Sequence, residues 1–306
     1  MRACIVGCGA IGGLFAASLA LLDDVEVWAY DADAAHVAAI RDGGLRLSGL
    51  RELTAPVRAT SDARELPRCD VAIVATKGRH TRAAIAATAH ALADGAAVAS
   101  LHNGIGNEEL LAEHVGAVMR GTTFQGGRVA APGEIAWDTA GETWLGPFEP
   151  APAPFAAVER LADALTRAGL PAHALPDARG AQWTKLIFNA AANPVAALTG
   201  LPHGRICAQP PLRALVRGLV REGVAVAEAL GVRLDADPDA LIDRAAVDAY
   251  GHRGSMLQDV LARRPTEIDF LSGGIVRCGR EAGVPTPLNA AAVALVKGVE
   301  SSWEDA

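Results

Sequence analysis

Residues 3–22 constrain the fold of this chain more than any other segment. They read ACIVGCGAIGGLFAASLALL and contain no charged residue. This length would allow a membrane span, and Arg2 before it imitates the start of a signal peptide. However, glycines occupy the middle, between a run typical of a strand and a run typical of a helix. Because glycine is a poor helix former, we predict a buried strand, a tight turn and a helix.

The turn matches the GxGxxG pattern of dinucleotide-binding folds. The matching residues are Gly7, Cys8, Gly9, Ala10, Ile11 and Gly12. The pattern is informative here because it follows an apolar strand and opens a helix. Gly7 permits the tight turn, Gly9 lets backbone N–H groups approach a pyrophosphate, and Gly12 allows close packing of helix on strand. The positive end of the helix favours the phosphate. A glycine-rich turn without a ligand is the alternative.

Asp31 ends the second predicted strand, nineteen residues after Gly12. A carboxylate there can accept both hydroxyls of the adenosine ribose and would repel a 2′-phosphate, which favours NAD over NADP. The alternative is that Asp31 caps a helix starting near Ala32. Nearby Arg41 could bind the 2′-phosphate of NADP, so NADP is the alternative cofactor.

The first 145 residues alternate between short apolar runs and amphipathic helical patterns. Predicted strands are Ala3–Val6, Glu26–Tyr30, Val71–Ala75, Ala97–Leu101 and Met119–Phe124. Predicted helices lie at about 10–22, 32–42, 80–94 and 107–116. This alternation is typical of a mostly parallel sheet with helices on both faces, as in a Rossmann domain.

The end of this half contains weaker signals. Residues 127–146 suggest an antiparallel meander at one edge of the sheet. The proline-rich stretch 147–154 resembles a linker, but a helix at 155–168 and a strand at 170–175 can still complete the sheet. We therefore predict a dinucleotide-binding domain over residues 1–177 and a second domain over 178–306.

The second half is predicted to be all-α. Its helical patterns lie at about 178–192, 210–230, 237–248, 255–262, 266–282 and 287–302. The fold class is thus α/β, with an N-terminal Rossmann domain followed by a helical C-terminal domain.

Composition excludes several classes of function. Hydrophobic residues make up 51% and charged residues 21% of the 306 residues, as in globular proteins. The net charge is −7 without a basic run, so we expect no nucleic-acid partner. The 5 cysteines are scattered without a CxxC motif, which argues against a metal site or disulfide framework and favours the reducing cytoplasm. We expect no membrane partner, and the sequence leaves room for a homodimer.

Two polar residues follow predicted strands at the edge where ligands bind in such sheets. Lys77 follows VAIVAT and Asn103 follows AVASLH. Each has a simpler interpretation, as a surface lysine in a turn and as part of an Asn-Gly turn.

The segment WTKLIFNAAANP in the second half carries three polar residues at helical spacing. Lys185, Asn189 and Asn193 are four residues apart and lie within about 80° on a helix. Pro194 is expected to end the helix, with Asn193 at its end. A lysine with two amides on one face can bind a polarised carbonyl and a carboxylate. A solvated polar stripe is the alternative.

Two later motifs have local structural interpretations. Ser255 and Gln258 match a capping box. Glu267 and Asp269 would lie in the first turn of a helix beginning near Pro265, where carboxylates favour the helix dipole.

Taken together, these motifs resemble the ketopantoate reductase family over essentially the whole chain. The resemblance is carried by the glycine motif at residue 7, the KxxxNxxxNP helix and the segment SMxxD followed by RxTEID. It implies a Rossmann domain, a helical domain like that of 6-phosphogluconate dehydrogenase, and an active site in the cleft between them. The implied reaction is hydride transfer from NAD(P)H to the keto carbon of 2-dehydropantoate, which yields pantoate for pantothenate biosynthesis.

The resemblance also implies roles for individual residues. Lys185 would be the general acid, and Glu267 would be its partner at the substrate hydroxyl. Asn103 would position substrate and nicotinamide, and Lys77 would lie near the cofactor. The remaining substrate-binding residues would be Asn189, Asn193 and Ser255.

Three departures from the family pattern weaken the finer assignments. Asp31 stands where NADP-dependent members usually carry arginine, and His102 stands where glutamine is common. Residues 252–255, HRGS, replace a family pattern that more often contains asparagine and a second serine near the substrate. His252 is either a structural histidine packed in the fold or a residue that changes the shape of the substrate pocket. One alternative is therefore an NAD-dependent D-2-hydroxy-acid dehydrogenase of the same family. The other is a non-catalytic NAD-binding protein, against which intact Lys185 and Glu267 speak.

Overall fold

The computed structural model describes residues 1–248 and 250–303. Contacts divide the chain into two units, a sheet unit and a helical unit. The sheet unit comprises Met1–His102 and Asn107–Ala178, and the helical unit comprises Asn103–Gly106 and the chain from Arg179 onward. The short segment Asn103–Gly106 thus groups with the helical unit although it follows a strand of the sheet unit.

The sheet unit is built on an eight-stranded sheet of order β12-β11-β8-β7-β6-β1-β2-β5. Its strands are β1 (Arg2–Val6), β2 (Glu26–Tyr30), β5 (Arg58–Thr60), β6 (Cys69–Val74), β7 (Leu92–Ser100), β8 (Val118–Thr123), β11 (Thr143–Pro147) and β12 (Ala172–Ala174). The six strands from β8 to β5 in this order run parallel, whereas β11 is antiparallel to β8. The predicted parallel sheet is confirmed, and β12 completes its edge as expected.

The predicted antiparallel meander over residues 127–146 is confirmed only in part, because β11 lies antiparallel in the main sheet beside its edge strand whereas the two strands before it do not belong to this sheet. β9 (Gly126–Ala131) and β10 (Glu134–Thr139) do pair antiparallel. They belong to a second sheet, of order β4-β3-β10-β9, with β3 (Leu45–Gly49) and β4 (Leu53–Ala55). In its centre, β3 and β10 pair in parallel and place Ile135 opposite Leu47. These residues are far apart in the chain, so local sequence patterns could not predict the pairing.

Both faces of the main sheet are covered. The helices of this unit are α1 (Ala10–Leu19), α2 (Ala34–Gly43), α3 (Thr81–Thr88), α4 (Asn107–Ala112) and α5 (Phe155–Arg167), with 3₁₀ turns at Ala63–Glu65, Gly78–His80 and Ala89–Ala91. Ala3 and Ile5 of β1 are buried in one core, and Cys4 and Val6 in another. Burial of alternate residues in two cores explains why this strand reads as a continuous apolar run.

The segment 3–22 forms the predicted strand, turn and helix. Within residues 1–248 and 250–303, no helix has the length and apolar character needed to cross a membrane. The predicted helix at 80–94 was too long, because α3 ends at Thr88 and β7 begins at Leu92. Gly95, with φ of +78°, has a backbone conformation that a helix does not allow.

The described part of the helical unit is all-α, as expected. Its helices are α6 (Arg179–Thr199), α7 (His203–Ala208), α8 (Pro210–Ala229), α9 (Pro238–Asp248), α10 (Ser255–Leu261), α11 (Ser272–Ala282) and α12 (Pro287–Ser301). Their core is apolar and rich in alanine from α6. The short helix α7 was not predicted.

Helix α6 continues through Pro194, so the prediction that Pro194 ends the helix was wrong. Proline has no N–H and therefore leaves the carbonyl of Ala190 without its helical donor. The buried hydroxyl of Ser272 donates to this carbonyl at 3.0 Å. A side chain from α11 thus replaces the missing backbone donor, so the carbonyl of Ala190 is not left unpaired.

Candidate functional site

The parallel strands β1, β2, β6 and β7 end at the same edge of the main sheet. The glycine loop follows β1, Asp31 follows β2, and Lys77 and His102 lie just beyond β6 and β7. Ligands of open α/β sheets bind outside the carboxyl ends of their strands. This edge is therefore the candidate nucleotide site of the sheet unit.

The three motif glycines differ in what a side chain would meet. A Cβ on Gly12 would lie 1.8 Å from the carbonyl oxygen of Gly7, so the helix can approach the strand only without it. Gly7 has φ of +89°, and a Cβ there would lie 2.8 Å from the backbone of Thr76. A Cβ on Gly9 would meet no atom within 4 Å, so the space beside it is open to a ligand. This pattern fits a pyrophosphate at the N-terminus of α1.

Asp31 does not cap α2, so the capping alternative was wrong. The cap is Asp33, whose carboxylate accepts from the backbone N–H groups of Ala35 and His36. The carboxylate of Asp31 instead accepts from the N–H of Cys8 at 2.7 Å and from the N–H of Asp33 at 2.9 Å. It thereby joins the glycine loop to the end of β2, and its oxygens retain lone pairs for further donors.

Arg41 is engaged away from Asp31. Its Nε donates to the carbonyl of Ala59 at 2.7 Å, and its guanidinium pairs with Glu65 at 2.5 Å. Binding a 2′-phosphate through Arg41 would require these bonds to break.

Lys77 is partly buried and lies directly before the 3₁₀ turn at Gly78–His80. Next to it the sheet unit contains a buried polar network that the sequence did not predict. His102 bonds to the hydroxyls of Ser100 at 3.0 Å and Thr81 at 2.9 Å. Burial lowers the pKa of His102 to about 3, so its ring is neutral at physiological pH.

In the helical unit, Lys185 and Asn103 are in direct contact. The ammonium of Lys185 on α6 donates to the amide oxygen of Asn103 at 2.9 Å. The loop Asn103–Gly106 is held by Gln182, which donates to the carbonyl of Gly104 at 3.3 Å, and by the bond from Ile105 N–H to the carbonyl of Phe270 at 3.1 Å. Gln182 was missed as a positioning residue because a single buried glutamine leaves no sequence signal.

Two opposing effects determine the pKa of Lys185. Burial lowers the pKa of Lys185 to about 8, and the Glu267 carboxylate opposes this by raising it. Desolvation is the larger effect, which the sequence could not decide. An ammonium with a pKa near physiological pH can both hold a proton and release it.

Glu267 lies in a turn before α11 and not in its first helical turn, so that prediction was wrong. The carbonyl of Phe270 accepts from the N–H of Ile105 and so is bonded to a residue outside this turn. The turn is held on its other side by Glu300, which accepts from the N–H and the hydroxyl of Thr266 at 2.7 and 2.6 Å. Asp269 pairs with Lys297 at 2.5 Å. Glu267 is 9% exposed and is presented by this anchored turn.

The predicted capping box at Ser255 is also wrong. Gly254 is the N-cap of α10, and the side chain of Gln258 donates to the carbonyl of Arg253 at 2.8 Å. Ser255 is exposed at the start of α10. Asn193 is buried on α6, and its amide oxygen lies 2.8 Å from Nε2 of His203. Asn189, partly buried, lies between Lys185 and Asn193 on the same helix.

A Rossmann-type unit with an open glycine loop and a helical unit with a desolvated lysine are typical of nucleotide-dependent oxidoreductases. The comparisons with known proteins make this more specific. The family model "Ketopantoate reductase PanE/ApbA" matches residues 3–150, and its C-terminal counterpart matches residues 177–300.

Similar proteins cover the whole chain. A 2-dehydropantoate 2-reductase of Pyrococcus abyssi is 32% identical over 302 residues, which are 98% of each chain. The crystal structure of a PanE/ApbA family ketopantoate reductase from Ralstonia eutropha has a TM-score of 0.89 at 32% identity and covers 99% of this chain and 100% of that one. The structure of D-mandelate dehydrogenase with NADH and anilino(oxo)acetate has a TM-score of 0.91 at 26% identity, with 99% of each chain covered.

The chain belongs to the ketopantoate reductase family and is an oxidoreductase of that family. The family and the NADH-bound relative support NAD(P)H as its cofactor.

Proposed function

We propose that this protein reduces the keto group of a 2-oxo acid, with 2-dehydropantoate as substrate and NADH as cofactor. The observation that carries the proposal is the pair formed by Lys185 and Asn103, with Glu267 close enough to act on the lysine charge. Relatives named 2-dehydropantoate 2-reductase support the choice of substrate.

Lys185 is assigned the role of general acid. Reduction of a ketone places negative charge on its oxygen, and an ammonium within hydrogen-bond distance stabilises this charge and delivers a proton. Asn103 accepts one N–H of the ammonium and so orients the others. Glu267 keeps the lysine protonated despite its burial. Asn189, Asn193 and Ser255 are assigned to the remaining polar groups of the substrate.

The residues around the glycine loop are suited to hold NADH. The backbone of Gly7, Cys8, Gly9, Ala10, Ile11 and Gly12 would bind the pyrophosphate, and Lys77 and Asn103 would lie toward the remainder of the cofactor. When bound, the cofactor supplies the hydride. Asp31 would accept the ribose hydroxyls and repel a 2′-phosphate. The engagement of Arg41 with Glu65 supports NADH over NADPH.

A second candidate is an NADH-dependent D-2-hydroxy-acid dehydrogenase that acts on bulkier or aromatic 2-oxo acids. It is favoured by the likeness to D-mandelate dehydrogenase, whose structure was solved with NADH, and by Asp31. A non-catalytic nucleotide-binding protein would have no need for the Lys185–Asn103 pair.

We further propose that residues 1–177 bind the nucleotide and that residues 178–306 bind the substrate. The cytoplasm is the proposed location, where buried thiols such as Cys4, Cys8 and Cys69 stay reduced. A homodimer is the proposed assembly.

The test is to follow NADH and NADPH oxidation side by side, with 2-dehydropantoate and a panel of branched and aromatic 2-oxo acids. Fast turnover of 2-dehydropantoate with NADH is expected. A strong preference for an aromatic 2-oxo acid would select the second candidate. Nucleotide binding without turnover of any 2-oxo acid would contradict both, and preference for NADPH would contradict the role of Asp31.

A further inference from the structure

A small cluster in the helical unit surrounds Asn193 with two histidines and a glycine. His203 begins α7, and its Nε2 lies 2.8 Å from the amide oxygen of Asn193. The His203 ring meets Phe188 edge to face at 5.8 Å and His252 at 5.4 Å between ring centres. The backbone N–H of His203 donates to the carbonyl of His252 at 3.0 Å. His203 is 4% exposed and Asn193 3% exposed, so water does not compete strongly for their bond.

The chemistry of this bond determines the direction of donation. An amide oxygen can only accept, so Nε2 of His203 must carry the hydrogen. Burial, with the neighbouring His252, lowers the pKa of His203 to about 4, so the ring is neutral with its hydrogen on Nε2. The oxygen of Asn193 is therefore occupied, and its NH₂ group is what the amide can offer to a ligand.

Gly254 is required for this bond. A Cβ at this position would lie 2.4 Å from Nε2 of His203 and 2.7 Å from the amide oxygen of Asn193. Since real Cβ contacts are longer than this, any side chain at Gly254 would push the two groups apart. The same glycine caps α10 directly before Ser255, so the cluster joins α6, α7 and the start of α10.

The position of Asn193 on α6 shows which part of a substrate it can serve. It lies two turns beyond Lys185, about 12 Å along the axis, with Asn189 between them. Lys185 is assigned to the reacting carbonyl, so Asn193 would bind a different oxygen of the same substrate. The oxygens of a 2-oxo acid other than hydroxyls can only accept hydrogen bonds, and the NH₂ group of Asn193 is a suitable donor.

We propose that His203 is a positioning residue that holds the amide of Asn193 with its NH₂ group toward a non-reacting oxygen of the 2-oxo acid, and that Gly254 provides the space for this contact. This inference rests on the proposed function of the site. His203 acts through Asn193 and needs no contact with the substrate itself.

The test compares two substitutions that remove the same ring. His203→Gln keeps an N–H donor for the amide oxygen, and His203→Leu removes it. His203→Leu is expected to raise KM for the 2-oxo acid about tenfold or more, with little change in kcat or in the Kd of NADH, because the lost contact is away from the reacting carbonyl. His203→Gln should restore KM to within about threefold of the wild type.

Gly254→Ala should raise KM as His203→Leu does, and the double variant should be no worse than either alone, because both break one interaction. Equal KM values in His203→Leu and the wild type would overturn the proposal. Equal impairment of the Gln and Leu variants would also overturn it, because the ring and not the donor would then matter.

The ¹⁵N NMR signals of histidine in the wild-type protein provide a second measurement that does not depend on the variants folding. The Nε2–H form of His203 is expected, and the Nδ1–H form would overturn the proposal. This measurement also separates the two hypotheses. If the enzyme reduces no 2-oxo acid, the proposed function fails, but the histidine signals still report whether His203 donates to Asn193.

Discussion

At the scale of single residues, the main question is why Lys185 should differ from an ordinary lysine. An exposed lysine holds its proton far above physiological pH and is a poor acid. Burial lowers the pKa of Lys185 to about 8, and the bond to Asn103 fixes its position. The lysine is then protonated in most molecules at neutral pH and can still transfer the proton.

Removing this amine should separate catalysis from nucleotide binding. In Lys185→Ala we expect kcat to fall by roughly 10²-fold or more, as for loss of a general acid, with the Kd of NADH unchanged. Lys185→Arg is the matched control, because it keeps a positive charge that does not release its proton. Steady-state rates and NADH fluorescence titration give the two values. Wild-type turnover in the arginine variant would mean that charge alone suffices.

The same residue predicts a pH dependence. With Lys185 as the proposed general acid, reduction requires its protonated form, so kcat should be constant at low pH and fall as the pH rises through about 8. Glu267→Gln removes the carboxylate that raises the pKa of Lys185, so the fall should begin at lower pH in this variant. The measurement is the pH profile of kcat for both proteins. An unchanged profile in Glu267→Gln would contradict electrostatic coupling between the two groups.

At the scale of elements, the sequence predicts best where pattern and local chemistry agree. Residues 3–22 combine apolar runs with glycines and fold as expected. The strand Leu45–Gly49 was missed because its parallel partner Glu134–Thr139 is distant in the chain. The start of α11 was misplaced because Thr266 and Phe270 bond to distant groups, Glu300 and Ile105. Long-range partners of this kind overrule local preference.

The contact of Lys185 with Asn103 could likewise not be derived from spacing, because 82 positions separate the two residues. Only the family resemblance assigned both residues to one active site. His203 was missed altogether, since a single histidine outside a motif gives no periodic signal.

The passage of α6 through Pro194 gives a prediction about stability. Ser272→Ala should lower the free energy of unfolding by about 1–3 kcal/mol, because it leaves the buried carbonyl of Ala190 without a donor. In a Pro194→Ala background, the backbone N–H of the new alanine can donate to the carbonyl of Ala190. Ser272→Ala should then lower the free energy of unfolding much less than it does in the wild type. Urea unfolding of the four proteins measures the difference. An equal loss in both backgrounds would show that Ser272 does not replace the missing donor.

At the scale of the whole molecule, each unit contains a buried histidine that the fold keeps neutral. Burial lowers the pKa of His102 in the sheet unit to about 3 and that of His203 in the helical unit to about 4. An unfolded chain would protonate both near pH 6.5. Below that pH the unfolded state binds more protons, so the stability from both groups is present above pH 6.5 and declines as the pH falls toward the folded values.

Each histidine should therefore reduce the free energy of unfolding by about 1.4 kcal/mol per pH unit below 6.5. When the pH is lowered from 7 to 5, the free energy of unfolding of His203→Gln should fall by about 2 kcal/mol less than that of the wild type. Urea unfolding at several pH values tests this, and because the carboxylates are common to both proteins their contribution cancels. The same pH dependence in both proteins would mean that His203 is charged in the fold.

The contrast between Gly12 and Gly9 has a practical consequence for changing the nucleotide preference of this enzyme. The turn leaves no room for a side chain at Gly12, where a Cβ would collide with the carbonyl of Gly7, and it is open beside Gly9. A mutant library that varies Gly7 or Gly12 would mostly yield proteins that do not fold. Libraries intended to alter the preference between NADH and NADPH should keep these glycines and vary Asp31 together with Arg41 and its partner Glu65, so that the arginine is released when the carboxylate is removed.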